Sequence, residues 1–145
     1  MMTRRALLFS ASTLAMVGPL NAAPVAVTLY KSPECGCCEG YADYLRQHGF
    51  AVASKPTNEL AEISRNAGVP PELQGCHTSF IGDYVVDGHV PVEAITKLLA
   101  EHPAIKGIAL PGMPEGSPRM SGEKAGPLTI YAIGNDGKSA IFLVL

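Results

Sequence analysis

From Val25 to Gly49 the chain reads VAVTLYKSPECGCCEGYADYLRQHG. Its first six residues, Val25 to Tyr30, are rich in β-formers and nearly all apolar, the pattern of a buried strand. Cys38, Tyr41, Ala42 and Leu45 then recur at helical spacing, and Gly49 supplies a stop. Three of the four cysteines, Cys35, Cys37 and Cys38, therefore fall at a strand-to-helix turn. Working outward, Phe50 to Ser54 predicts a second short strand. A helix from about Asn58, an N-cap residue type, carries Leu60, Ile63 and Ala67 on one face and ends at Gly68. A loop opened by Val69-Pro70-Pro71 runs to Gly75-Cys76-His77. Thr78 to Ile81 and Tyr84 to Val86 follow as an antiparallel strand pair about Gly82-Asp83. Asp87-Gly88 reads as a turn, and Pro91 as the first residue of a helix with Val92, Ile95, Leu98 and Leu99 on its apolar face.

The resulting order, β-α-β-α-β-β-α, is the thioredoxin and glutaredoxin topology, with Cys35-x-x-Cys38 where those proteins carry their redox pair. Leu110 to Met120 is too broken by Gly and Pro for a helix or a central strand. Leu128 to Ile133 and Ala140 to Leu145 predict two strands joined about Asn135-Asp136-Gly137, a hairpin signal. The expected fold is thus α/β and thioredoxin-like, with an added C-terminal β-hairpin and a Pro/Gly-rich loop bearing Met113 and Met120.

The 145 residues suit one domain. Arg4 and Arg5 precede a mostly apolar stretch to Leu20, with small residues at Ala22 and Ala23, which reads as a cleavable export signal over residues 1–23. Thr3-Arg4-Arg5-Ala6-Leu7-Leu8 resembles a twin-arginine motif, and ordinary Sec export fits equally. The remaining domain, residues 24–145, has nine basic against 13 acidic residues, a net charge of −4. With no Lys/Arg block it does not point to nucleic acid or an anionic membrane surface, and no membrane span is expected once the signal is removed. Export implies an oxidising compartment, where four cysteines could form structural bridges. Structural bridges usually join distant segments, and Cys35, Cys37 and Cys38 are too close to close useful loops.

Two chemistries remain. At a helix N-terminus the thiolate is favoured, so Cys35 could attack and Cys38 resolve in thiol–disulfide exchange. Cys37 has no place in that scheme, whereas three thiolates with Cys76 brought from a neighbouring strand could share copper in a multinuclear cluster. Soft donors favour Cu(I), with a single four-cysteine zinc site as the alternative. Adjacent Cys37 and Cys38 fit one tetrahedral ion poorly. Met113 and Met120 lie in the broken loop rather than on a helix face, and thioether sulfur again prefers Cu(I). His77 and His89 are the imidazole candidates, while His48 and His102 sit at predicted helix ends. Thioredoxins place a cis-proline before the third strand, where this chain has Cys76-His77-Thr78; that weakens general disulfide exchange and strengthens metal binding.

Four ordered motifs then carry a resemblance over the whole mature chain. They are Cys-Gly-Cys-Cys after Tyr-Lys-Ser-Pro, Gly-Cys-His-Thr at Gly75 to Thr78, Gly-His-Val-Pro at Gly88 to Pro91, and Pro-Gly-Met-Pro-x-Gly-Ser-Pro-x-Met at Pro111 to Met120. Together they resemble the DUF411 family, also described as CopG-type periplasmic copper proteins. The resemblance implies a thioredoxin-like fold and a copper oxidoreductase role in copper resistance in the Gram-negative periplasm. It implies a Cu(I)-rich cluster on Cys35, Cys37, Cys38 and Cys76, with His77, His89, Met113 and Met120 as further donors and Cys35 and Cys38 as the redox pair. Copper ions are the expected ligand, and another periplasmic copper carrier or an efflux component the expected partner. Arg119 departs from the glycine common just before the second Met. The alternative is a metal-free thiol–disulfide oxidoreductase, followed by a structural zinc module.

Overall fold

The computed structural model describes residues 22–145, so all but the last two residues of the expected export signal lie outside the described residues. Strands β1 (Val25–Lys31), β2 (Phe50–Pro56), β3 (His77–Ile81) and β4 (Tyr84–Gly88) appear as the sequence predicts, with α1 (Gly36–Gln47), α2 (Leu60–Asn66) and α3 (Val92–Glu101) between and after them. Beyond α3 come β5 (Gly107–Leu110) and the hairpin strands β6 (Thr129–Ile133) and β7 (Ser139–Val144). All seven strands form one mixed sheet in the order β2-β1-β3-β4-β5-β6-β7.

Alternation along the strands splits the apolar residues between the two faces, as a period of two requires. Val86, Ile108 and Ile130 join Leu29, Tyr41, Leu45, Ile95 and Leu98 in the larger cluster, under α1 and α3. Val85, Ala109 and Ile133 join Val69 and Leu73 in the smaller one on the other face. Truncating a fully buried Leu or Ile of the larger cluster to Ala costs about 2–5 kcal/mol.

Register decides what meets at one end of the sheet. β1 runs antiparallel to β3 with Lys31 opposite His77, so the turn after β1 lies beside the entry to β3. β3 pairs antiparallel with β4, Thr78 opposite Asp87, which brings the exit of β4 to the same end. β5 is parallel to β4, with Gly88 opposite Leu110, so the Pro/Gly-rich loop leaves from that end too.

Several expectations are corrected. β5 has no counterpart in the sequence reading: Gly-Ile-Ala-Leu is only four residues, too short for a periodicity, yet every one is buried. A Cβ on Gly107 would run into the Val85 carbonyl oxygen, so only glycine lets β5 start against β4. Asp87 is a buried residue of β4 rather than part of a turn; the chain reverses at Gly88, where φ is +79° and a Cβ would meet the Leu110 carbonyl. Glu59, not Asn58, caps α2, and the fully buried residue of that short helix is Ser64, with Leu60 and Ile63 half-buried. Pro91 is extended and caps α3 rather than opening it. Among the described residues no helix is long and apolar enough to cross a membrane.

Candidate metal centre

The first arm of the site is the turn from β1 into α1. Cys35 is the N-cap of α1, Cys37 lies in its first turn, and Cys38 begins its buried face, followed by Tyr41, Ala42 and Leu45. The helical spacing read from the sequence thus points Cys38 inward and leaves Cys35 and Cys37 half-exposed. Cys35 and Cys38 are joined as a disulfide; Cys37 and Cys76 are free. Below the turn lies Lys31, only 6% exposed, whose ammonium faces the carbonyl oxygens of Ser32, Pro33 and Cys35 at 3.4 Å each. A buried ammonium needs such partners, because burial without them costs several kcal/mol.

The second arm is rooted in the sheet. Cys76 immediately precedes β3, His77 opens that strand, and His89 follows β4. Asp87 braces this arm: one carboxylate oxygen accepts from the Gly75 N–H at 2.5 Å and the other from the Thr78 hydroxyl at 2.7 Å. Ser64 Oγ of α2 lies 2.6 Å from Thr78 Oγ1 and completes the buried network. Asp87 therefore grips the chain on both sides of Cys76 and His77. Burial pushes its pKa up to about 6, opposed by the two hydrogen bonds.

The arms meet through sulfur. Cys37 Sγ is 3.5 Å from Cys35 Sγ and 3.9 Å from Cys76 Sγ, and Cys38 Sγ packs 3.2 Å from the Cys76 carbonyl oxygen. Cys76 Sγ in turn lies 3.5 Å from His77 Nδ1 and 3.4 Å from His89 Nε2. Two donor groups result, Cys35–Cys37–Cys38–Cys76 and Cys76–His77–His89, sharing Cys76.

The imidazoles are prepared to coordinate. The Pro118 backbone carbonyl oxygen lies 2.8 Å from His89 Nδ1, and a carbonyl can only accept, so Nδ1 carries the proton and Nε2 turns its lone pair toward Cys76. His77 Nε2 is buried without a partner. Burial, reinforced by the neighbouring His89, lowers the His77 pKa to about 3, so its ring is neutral at physiological pH. Tyr41 walls the pair, its ring centroid 4.6 Å from that of His77 and 5.2 Å from that of His89, with its hydroxyl donating to the Val90 carbonyl at 2.7 Å. Burial first, then the neighbouring Cys37, pushes the Cys76 thiol up to about 12. A neutral imidazole with Nδ1 beside the Cys76 sulfur, a second with its Nε2 lone pair turned to the same sulfur, and a set of neighbouring sulfurs fit a soft cation.

The loop after β5 covers this end. Pro118 holds His89, Arg119 lies over α1 where a Cβ on Gly40 would be 3.5 Å from its side chain, and the Met120 amide donates to the Ser117 carbonyl. Met120 is half-buried, whereas Met113 is 41% exposed at a left-handed φ of 46°. The sequence-predicted Cys35, Cys37, Cys38, Cys76, His77 and His89 are thus brought together. Lys31, Tyr41, Thr78 and Asp87 join the site although nothing in the sequence pattern marks them as part of it. Tyr41 was legible only as one apolar position of a helix, and Asp-Gly at residues 87 and 88 carries a turn signal that hid a buried brace.

Fold and site define a small mixed α/β protein with a thiol- and imidazole-lined centre suited to a soft metal. A family model described as "Protein of unknown function, DUF411" matches residues 73–120, the span holding Cys76, His77, His89, Met113 and Met120. Two solved structures of the copper resistance protein copG, Form 1 and Form 2, are each similar to the chain, with 31% identity and a TM-score of 0.78 over 84% of this chain and 98% of theirs. No curated protein matches it. The chain belongs to the DUF411 family of CopG-type proteins.

Proposed function

We propose that this protein is a periplasmic copper-binding protein that holds Cu(I), in more than one equivalent per chain, and interconverts Cu(II) and Cu(I) in copper resistance. The observation that carries this reading is the convergence of four sulfurs and two imidazoles, with Cys76 common to both donor groups. Soft thiolate and neutral imidazole donors favour Cu(I), and adjacent thiols that crowd one tetrahedral ion can bridge several. The copG relatives are described as copper resistance proteins, which supports the same ion over zinc. In the fully reduced chain Cys35, Cys37, Cys38 and Cys76 are the bridging donors, with His77 and His89 closing the buried side. Met113 and Met120 are the outer donors on the covering loop; the exposure of Met113 supports a role in meeting copper from solvent. Residues 1–23 serve as the export signal, and residues 24–145 as the folded domain. Copper then passes to or from another periplasmic carrier or an efflux component.

Anaerobic Cu(I) titration of the reduced chain lacking residues 1–23, with elemental analysis, should give more than one copper per chain. A Cys35/Cys37/Cys38/Cys76 to Ser variant that binds as much would overturn the reading, as would purification with one tightly held zinc. The disulfide at the N-terminus of α1 favours a second reading, a metal-free thiol–disulfide oxidoreductase. That reading requires insulin reduction that survives Cys37→Ser and fails with Cys38→Ser.

A further inference from the structure

Val27, Leu29 and Lys31 alternate along β1 onto the face beneath α1, so Lys31 occupies a core position and is only 6% exposed. Every other lysine and arginine among the described residues is exposed or half-buried. Lysine is almost never buried unless paired, yet among the described residues no carboxylate pairs with this one. Its ammonium has the carbonyl oxygens of Ser32, Pro33 and Cys35, which are dipoles and leave the unit charge unbalanced. The N-terminus of α1, itself partly positive, begins at the same turn. Two positive groups thus meet under Cys35, whose sulfur is 3.5 Å from that of Cys37, in turn 3.9 Å from that of Cys76. Lys31 also pairs across the sheet with His77, so one residue touches the turn and adjoins the sheet-rooted donors.

We propose that Lys31 is a specificity-determining residue of the centre: a fixed positive charge that favours a monovalent soft cation on the thiolates over a divalent one. The inference rests on the copper reading above and adds charge to softness as a basis for choosing Cu(I). Thiolates accept both Cu(I) and Zn(II), so the sulfurs alone do not exclude zinc. On the same thiolates a monovalent ion leaves the assembly one unit more negative than a divalent ion does. The buried ammonium attracts the more negative assembly more strongly, and burial keeps that difference from being screened away. Lys31 touches no metal in this scheme and acts through its field on the thiolates.

The test measures the affinity of the reduced, metal-free chain for the first equivalent of Cu(I) and of Zn(II), each by anaerobic competition with a chromophoric chelator. Lys31→Met keeps the stem and removes the charge, and the ratio of Cu(I) to Zn(II) affinity should fall about tenfold or more. Lys31→Gln also removes the charge but can still donate to the carbonyls, and it should lower the ratio as far. Lys31→Arg keeps the charge and should hold the ratio within about threefold of wild type. Lys55→Met removes an exposed charge from the neighbouring strand β2, where Lys55 pairs with Tyr30, and should leave the ratio unchanged because solvent screens it. Circular dichroism and urea unfolding confirm that each variant is folded. A lysine that only supports the turn would weaken both ions together, so a ratio unchanged by Lys31→Met overturns the proposal. A wild-type ratio in Lys31→Gln, no recovery in Lys31→Arg, or an equal shift in Lys55→Met overturns it too. Wild type that fails to bind Cu(I) overturns the copper reading and this inference with it.

Discussion

The two arms of the site are built on opposite plans. The Cys35–Cys38 turn projects from the sheet end between exposed Ser32, Pro33, Glu34 and Gly36, with Lys31 beneath it. The arm of Cys76, His77 and His89 is set into the sheet, with His77, Asp87 and His89 fully buried and Asp87 gripping the backbone on both sides of the donors. The contrast is physical. Thiols that change oxidation state must be reached by a reaction partner and must move when the S–S bond opens. Donors that keep a metal gain from being held in place before it arrives, since ordering costs are then met by the fold. Cys35 and Cys37 of the turn are half-exposed above the buried Cys38, whereas His77 and His89 are wholly enclosed by the sheet end.

The sharpest way to break this contrast is at the shared residue. Cys76→Ser removes the one sulfur common to both donor groups. Cu(I) affinity, measured by competition with a chromophoric chelator, should fall by more than the about 10–100-fold typical of losing an outer partner. A smaller loss would show that the arms bind metal separately.

Acid should distinguish the arms next. His77 has its folded pKa lowered to about 3 from 6.5, so its contribution is present above pH 6.5 and lost as pH falls toward 3. Asp87 is raised to about 6 from 3.8, so its contribution is full below 3.8 and lost as pH rises through 6. Stability of the metal-free protein to urea should therefore drop between pH 6.5 and 3 by an amount on the order of a few kcal/mol, with Asp87 partly opposing it. His77→Phe should flatten that drop and Asp87→Asn steepen it. A denaturation midpoint independent of pH in both variants and wild type would remove the electrostatic basis of the sheet-rooted arm.

Asp87→Asn also tests the brace itself. An amide cannot accept from both Gly75 and Thr78 as the carboxylate does. Cu(I) affinity should fall about 10–100-fold, as for other outer partners, with the Cys35–Cys38 couple unaffected. On the turn arm, Lys31→Met keeps the buried stem and removes the donors to three carbonyls. At 3.4 Å these are long contacts, and a stability loss of about 1 kcal/mol is expected in thermal or urea unfolding. The smallest effect belongs far from both arms: Ile141 on the edge strand β7 is 66% exposed, and Ile141→Lys should change stability by no more than about 0.5 kcal/mol and leave copper binding unaltered.

Much of this was legible in the residues. The run from Val25 to Gly49 places three cysteines at a strand-to-helix turn because strand and helix periods are local signals, and Cys38 points inward for the same reason that Tyr41 and Leu45 do. The hairpin of β6 and β7 was readable from its turn residues, where Gly137 takes φ +79°. The four residues of β5 were not, because a strand buried on both faces shows no alternation and is too short to show anything else. Missing β5 hid where the methionine loop goes, for it is the parallel pairing of β4 with β5 that sends Pro111 to Met120 back over His89. Lys31 and Asp87 were unreadable as braces because both types are ordinarily solvated, and only the assembled tertiary structure buries them.

By itself the sequence determined the candidate donors: its four thiols, two of its four imidazoles (His77 and His89) and two of its five thioethers (Met113 and Met120), with three of the thiols held together by local geometry at one helix terminus. Tertiary structure alone decided their convergence. Lys31 opposite His77, Thr78 opposite Asp87 and Gly88 opposite Leu110 are pairings between distant segments, set by strand register and by the burial of each face. The same pairings bury Asp87 beneath Cys76, and the loop that leaves β5 brings Pro118 to His89, fixing which ring nitrogen is free. Local spacing can place donors on a turn, but only long-range pairing can face them with the rest of a site.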